Sequence, residues 1–273
     1  MRGMAGLMLL LLLALSPRGH AETADAKKAP PPRKIRFLAL GDAPPFQQEV
    51  RDGVRYELEP PEGSVPPREI VPSFGEKEKD QDPGKQPEPI RLNLGRITPP
   101  STIPDGAGLL ELRKKDASGD SKPWLSLQRP EHGDLMVLLW RDPRGKSWEQ
   151  TSALIIADSP DSPGPGGVQM LNLIPVTVGV TLGTEKIALP YARIVTKKPE
   201  LKQDLPLEVN ALSADLKTPG KRFLSTVLAI NAGECNRVLI YRADGVSPRT
   251  PVKVLILREP IGPAEDAPAL PSR

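Results

Sequence analysis

The chain has 273 residues, of which 34 are proline and 23 are glycine, while aromatic residues make up only 4%. Each internal proline removes a backbone donor and clashes with the preceding turn, so this composition excludes a mainly helical protein. Lys and Arg number 37 against 34 Asp and Glu, and the balance becomes nearly neutral once the first 21 residues are set aside. A near-neutral, evenly mixed chain gives no electrostatic signature of nucleic-acid binding.

Residues 1–21 predict an export signal peptide. Arg2 supplies the positive charge, and the apolar run 7–15 follows it. Gly19 and Ala21 then offer small residues at the positions that signal cleavage requires. Nine apolar residues are too few for a helix that crosses a bilayer, and no later segment is long and apolar enough. We therefore expect an exported mature chain, periplasmic or secreted, without a transmembrane segment.

Four further stretches are rich in proline, glycine or charge and predict disordered or linking segments. They are a leader at 22–33, an insertion at about 75–89, a linker at 158–167 and a tail at 259–273. The remainder divides into two segments, 34–157 and 168–258, each long enough for one domain.

Within both segments, apolar and polar residues alternate in short runs bounded by Pro, Gly, Asn and Asp, which is typical of β-strands and turns. Val54, Tyr56 and Leu58, for example, alternate with charged residues. No window longer than about ten residues shows a helical period. The chain is therefore predicted to be all-β.

The two segments also resemble each other. Four blocks match in order and type: 35–40 with 168–173 at an offset of 133, 122–126 with 221–225 at 99, and 137–141 with 238–242 and 153–158 with 254–259 at 101. Chance similarity between β-rich strings is the alternative, but the agreement of spacing favours an internal repeat. Strand number and turn spacing predict two tandem immunoglobulin-like antiparallel β-sandwich domains, although the usual cysteine pair is missing.

The opening of the second segment, VQMLNLIPVTVGVTLG followed by KIALP at 168–190, resembles a family of uncharacterised secreted bacterial immunoglobulin-like β-sandwich proteins. In that family a strand ending in Asn and a proline turn precede a strand of alternating valines. The resemblance implies a sandwich fold, and it carries over no reaction and no catalytic residue.

Histidine and carboxylates cluster only at 131–134, the sequence EHGD. A His beside acids is typical of a metal ligand or a general base. A zinc site normally needs three or four protein ligands, and Pro130 and Gly133 are typical of a turn. We expect a polar turn around His132, no bound metal and no cofactor.

Cys235 is the only cysteine of the chain and aligns with Asp134 in the repeat. An inert turn residue, a contact to another thiol and a nucleophile are the three alternatives, and the first is favoured. The acidic pair Asp158 and Asp161 lies in the predicted linker, where solvated charge is favoured over glycosidase chemistry. No catalytic residue is predicted.

Trp124 and Trp140 align with Phe223 and Tyr241, which indicates aromatic positions of the core. Trp148 lies in a turn-like segment and aligns with Arg249, so it is the candidate for an exposed ligand-binding contact.

These patterns favour a non-catalytic binding or assembly protein of the cell envelope or extracellular space, with an envelope protein or a polysaccharide as its partner. Exposed sheet edges can accept an added strand, and proline-rich ends suit tethers. The alternatives are a carbohydrate-binding module that uses Trp148 and, third, an enzyme with Asp/Glu chemistry.

Overall fold

The architecture comes from a computed structural model, which describes residues 32–75, 88–115, 122–142, 145, 147–159, 163–212, 219–244 and 250–261. The described residues form β-strands joined by turns and contain no α-helix. The all-β prediction is therefore confirmed. No helix in these ranges is both long enough and apolar enough to cross a membrane.

The strands fall into two halves. The N-terminal half contains β1 (Arg33–Leu40), β2 (Gln48–Arg51), β3 (Val54–Glu57), β4 (Glu69–Ser73), β5 (Ile90–Arg91), β6 (Ser101–Ile103), β7 (Gly108–Lys114), β8 (Leu125–Arg129), β9 (Leu135–Arg141) and β10 (Thr151–Ala157). The C-terminal half contains β11 (Val168–Asn172), β12 (Val178–Leu182), β13 (Glu185–Leu189), β14 (Ile194–Lys197), β15 (Gln203–Leu212), β16 (Pro219–Ile230), β17 (Glu234–Arg242) and β18 (Val252–Pro260).

Each half builds two four-stranded sheets with the same strand order. The N-terminal half has the orders β10-β9-β1-β6 and β5-β4-β7-β8, and the C-terminal half has β18-β17-β11-β14 and β13-β12-β15-β16. Read in chain order, every strand of the second half has a counterpart in the first. Only the hairpin β2–β3 has none.

The register of the strands repeats as well. Ile35 on β1 lies opposite Leu135 on β9, and Val168 on β11 lies opposite Asn236 on β17. These residues are related by the offsets of 133 and 101 that the sequence shows. The pairings β9–β10 and β17–β18 are related by 101 in both strands. The sequence repeat is thus matched, residue by residue, in the strand pairing.

The sheets are not purely antiparallel, so that part of the prediction is wrong. β1 pairs with β9, and β11 with β17, in parallel, while the other named pairs are antiparallel. The first strand of each half, β1 or β11, lies at the centre of its sheet. Its parallel partner, β9 or β17, follows in the chain only after the strands of the other sheet have been formed. A parallel pair requires such a long crossover.

Three apolar cores hold four sheet layers together. In β1, Ile35, Phe37 and Ala39 enter a core inside the N-terminal half, and a second core fills the C-terminal half. Leu38 and Leu40 point the other way, into a third core that lies between the two halves. Since the inner sheets are buried on both faces, their central strands are continuous apolar runs, such as the LMVLLWR of β9.

The third core joins equivalent faces of the two halves. Leu38 and Leu171 occupy corresponding positions, and so do Leu138 and Leu239; all four are at most 1% exposed. Trp140 corresponds to Tyr241 in the same core, which confirms the predicted aromatic position. A surface that packs against its own counterpart is the arrangement of a two-fold symmetric dimer. Here both copies of that surface belong to one chain.

Several predicted segments lie wholly or partly outside the described residues. They are the signal peptide at 1–21, the leader up to residue 31, residues 76–87 of the insertion, 160–162 of the linker and 262–273 of the tail. Parts of the predicted linker and tail lie within the described structure. Asp158 and Glu259, placed in the linker and the tail, are respectively buried beside β10 and part of β18.

Replacing Leu239 by Ala in the third core is expected to lower the free energy of unfolding by about 2–5 kcal/mol, because the lost contacts leave a cavity between the inner sheets. Leu109, which is 43% exposed on β7, is the matched control, and Leu109→Ala should cost about 0.5 kcal/mol or less. Urea denaturation of both variants measures the difference. Equal, small losses would contradict a packed interface between the halves.

Candidate functional site

Four charged residues meet at one end of the third core. Arg36 on β1 donates from Nε to Asp158 Oδ2 at 2.6 Å and from Nη2 to Asp158 Oδ1 at 2.7 Å. The same Nη2 donates to Glu259 Oε2 at 2.6 Å. Arg237 on β17 donates from Nη1 to Asp158 Oδ1 at 3.0 Å and lies 3.3 Å from Glu259 Oε1. We call these four residues the charge clamp.

The charge clamp is shared equally between the halves. Arg36 and Asp158 come from the first half, Arg237 and Glu259 from the second, and each arginine contacts both carboxylates. Asp158 and Glu259 occupy corresponding positions of the repeat, at an offset of 101. The clamp therefore ties the two halves together with two positive and two negative charges.

Burial makes this pairing necessary. The side chains of Asp158 and Arg237 are each only 3% exposed. A buried charge that loses its partner is strongly destabilising. Burial by itself lowers the pKa of Arg36, but the hydrogen bond and charge of Asp158, with those of Glu259, outweigh it and hold that pKa above its usual value. The expectation that Asp158 is a solvated linker charge is wrong, because both arginines cover it.

A pocket of about 250 Å³ opens beside the charge clamp. Its lining includes Arg36, Asp158, Arg237, Glu259 and Cys235. Cys235 is 5% exposed and lies within β17 rather than in the loop that the sequence suggested. Burial, followed by the charge of Glu259, raises the pKa of its thiol. A raised pKa disfavours the thiolate that a nucleophile needs, which supports the inert alternative.

The opposite end of the third core carries a second group of charges. The backbone N–H of Asp42 donates to Asp244 Oδ2 at 3.0 Å, and that of Asp244 donates to Asp42 Oδ2 at 3.1 Å. Arg141 pairs with Asp244 at 3.0 Å, and Lys253 with Asp42 at 3.2 Å. Burial and the charges of both aspartates raise the pKa of Tyr241 to about 12. Polar pairs between the halves thus border the apolar interface at both ends.

His132 lies in a turn between β8 and β9, as predicted. Its side chain is 86% exposed, and its Nε2 lies 3.8 Å from Glu131 Oε1. Asp134 accepts a hydrogen bond from the backbone N–H of Lys34 at 2.8 Å, which fixes the end of the turn. Within the described ranges, no three His, Cys, Asp or Glu side chains are placed to hold a metal ion together.

Trp148 is buried, so the prediction of an exposed contact at this residue is wrong. Its side chain is 1% exposed and belongs to the core of the N-terminal half. Its backbone N–H donates to the carbonyl of Gly63 at 2.8 Å, and its carbonyl accepts from Trp124 Nε1 at 2.9 Å. Its indole lies close to Gly41, about a hundred residues earlier in the chain, and local turn residues give no sign of such a contact.

The hairpin β2–β3 is the most exposed apolar element among the described residues. Its two central turn residues, Asp52 and Gly53, have φ values of 52° and 81°, as a tight two-residue hairpin turn requires. Large apolar side chains that are 37–63% exposed lie along it: Phe46, Val50, Val54, Tyr56 and Leu58. The alternation of Val54, Tyr56 and Leu58 predicts the strand correctly, but this apolar row faces solvent.

The corresponding connection in the second half is short and closed. Asn172, at the end of β11, donates from Nδ2 to the carbonyls of Val176 at 2.7 Å and Leu189 at 3.0 Å, and its Oδ1 accepts from the N–H of Ile174 at 2.9 Å. Five residues then suffice to reach β12. The hairpin is therefore an addition to the N-terminal half that the repeated fold does not need.

The chain matches no protein-family model, and no curated protein matches it. Two features of the molecule itself bear on its function. The four charges of the charge clamp pair with one another, whereas the hairpin β2–β3 leaves apolar side chains and a strand edge open.

Replacing Asp158 by Asn is expected to lower the free energy of unfolding by about 3 kcal/mol or more, since Arg237 then keeps a buried charge without its nearest carboxylate. Glu59→Gln is the control, because Glu59 pairs with Arg68 on the surface at 3.2 Å and such pairs contribute about 0–1 kcal/mol. Urea denaturation at neutral pH measures both. Similar losses for the two variants would show that the charge clamp does not join the halves.

Proposed function

We propose that the protein is an exported, non-catalytic assembly protein of the cell envelope or extracellular space, and that it binds a partner protein chain by strand addition at the hairpin β2–β3. The open hairpin is the observation that carries this proposal. A two-stranded hairpin alone is marginally stable in water, whereas three or more strands with an apolar face are stable. The hairpin therefore gains most from an added strand.

The hydrogen-bond pattern shows which edge is open. The N–H of Leu58 donates to the carbonyl of Gln47 at 3.0 Å, so these two residues form a hydrogen-bonded pair. Such pairs alternate along an antiparallel ladder. The backbone groups of Tyr56 and Val54 then face β2, and those of Arg55 and Glu57 face outward. No other described strand pairs with β3.

The apolar row on β3 supports the same function. Val54, Tyr56 and Leu58 are 52%, 48% and 37% exposed and lie on one face of the hairpin. Neighbouring apolar side chains that stay exposed mark interaction surfaces. Added strands gain affinity from main-chain hydrogen bonds and specificity from alternate side chains, and this edge offers both.

The carbohydrate-binding alternative loses the residue on which it rested. It used an exposed Trp148, and that indole is buried. Of the acids considered for Asp/Glu chemistry, Asp158 is held by two arginines in the charge clamp. A binding role through β3, in contrast, uses apolar side chains that remain 37–52% exposed.

Export and domain identity also belong to this proposal. The sequence of residues 1–21 supports export, and the proline-rich leader and tail suit tethers at the two ends. The repeated strand order supports two tandem immunoglobulin-like domains that arose by duplication, with the hairpin as the functional addition to the first.

The test uses residues 22–273, which retain every described residue, immobilised and offered three probes: envelope fractions, envelope polysaccharides and the same purified chain. We expect a protein probe to be retained, and Tyr56→Ser to weaken retention about tenfold or more, as loss of a central interface tyrosine does. Tyr191→Ser is the matched control, because Tyr191 is 49% exposed outside the hairpin. Its retention should equal that of the unaltered chain.

Absence of any hairpin-dependent retention would contradict the proposed function. Retention of polysaccharide alone, unaffected by Tyr56→Ser, would instead favour the carbohydrate-binding alternative.

A further inference from the structure

We propose that the strand added at the hairpin is β3 of a second copy of this chain, which runs antiparallel to the first with a two-fold axis at Tyr56. The two hairpins would form one four-stranded sheet in the order β2-β3-β3-β2. This inference rests on the proposed function, since it names the partner for strand addition.

The register follows from which backbone groups face outward. The backbone N–H and C=O groups on the open edge of β3 belong to Arg55 and Glu57. In a symmetric pair of strands, each of these residues must therefore lie opposite either the other one or its own counterpart in the second copy. An axis at Arg55 places two arginines opposite each other, and an axis at Glu57 does the same for two glutamates. Like charges directly opposite each other destabilise a sheet.

Only the axis at Tyr56 pairs opposite charges. Arg55 of each copy then lies opposite Glu57 of the other, and each such pair exchanges two backbone N–H···O bonds. The side chains of Arg55 and Glu57 have no hydrogen-bond or ion-pair partner within the described residues, so both are free to form this contact. The charge pattern of β3 is therefore complementary to itself in one register.

The same register joins the apolar rows. Val54 of one copy lies opposite Leu58 of the other, and the two Tyr56 side chains meet at the axis. Tyr56 forms a non-hydrogen-bonded pair with its counterpart, the arrangement in which side chains approach most closely. All three residues lie on one face, so dimerisation covers side chains that are otherwise 37–52% exposed.

The outer edge of β2 is the rival site within the hairpin. An axis at Val50 would place Glu49 opposite Arg51, but these two side chains already pair within β2 at 2.7 Å. That register also places Gln48 opposite Asp52, and its one apolar pair is Val50 with the Val50 of the other copy. β3 therefore offers more apolar contact and two unengaged charges.

Charge reversal tests the register on the chain 22–273 by analytical ultracentrifugation. We expect the unaltered chain to dimerise, and Arg55→Glu or Glu57→Arg alone to raise the dissociation constant about tenfold or more, since each creates two like-charge pairs. The double variant restores opposite charges and should dimerise like the unaltered chain. Arg68→Glu, outside the hairpin, is the control and should leave dimerisation unchanged.

Two outcomes would overturn the proposal: single variants that dimerise as strongly as the unaltered chain, or a double variant that fails to dimerise.

Cross-linking locates the axis. Tyr56→Cys places two thiols across the two-fold axis at a cross-strand spacing close to that of a disulfide, so oxidised glutathione should convert it to a covalent dimer. Val50→Cys is the comparison, and it should stay monomeric on a denaturing gel. The native Cys235 is buried and provides the background. Preferential cross-linking of Val50→Cys would overturn the β3 axis.

A monomeric unaltered chain that still retains an envelope protein through Tyr56 would overturn the self-pairing and leave the proposed function standing. A monomeric chain without any hairpin-dependent partner would overturn both.

Discussion

The apolar contact between the two inner sheets determines the rest of the architecture. Leu38 and Leu138 pack against Leu171 and Leu239, and all four lie almost completely out of water. Because each inner sheet has an outer sheet on its other face, its central strands have no solvated side. The charges near this interface must therefore pair across it. The charge clamp does so at one end, and the ion pairs Arg141–Asp244 and Lys253–Asp42 do so at the other. One chain thus reproduces the packing of a symmetric dimer.

That arrangement explains why the open surface lies elsewhere. The inner faces are used by the repeat itself, and the four charges of the charge clamp pair with one another. The hairpin β2–β3 breaks the repeat, because the second half replaces it with a five-residue connection organised by Asn172. An element outside the repeated fold can keep apolar side chains exposed without weakening the core. In our account the duplicated halves give a rigid base, and the hairpin provides the binding edge.

Local pattern and internal similarity predicted much of this fold. The alternation at Val54–Leu58 predicted a strand, and the offsets of 101 and 133 match the strand pairing. Burial was predicted less well, because it depends on contacts between distant segments. Trp148 is bonded through its backbone to Gly63 and its indole lies close to Gly41, and Asp158 is covered by arginines from β1 and β17. One signal was present: the repeat aligns Asp158 with Glu259, two acids at the ends of matching strands.

Hydrogen exchange at increasing denaturant shows whether the two halves form one body through their equivalent faces. Core amides that exchange only through global unfolding share one opening free energy. If the halves form one body, the amides of β1, β9, β11 and β17 converge on the same opening free energy, although they belong to both halves. A lower opening free energy for β11 and β17 than for β1 and β9, or the reverse, would show that one half opens without the other. That result would contradict a single body.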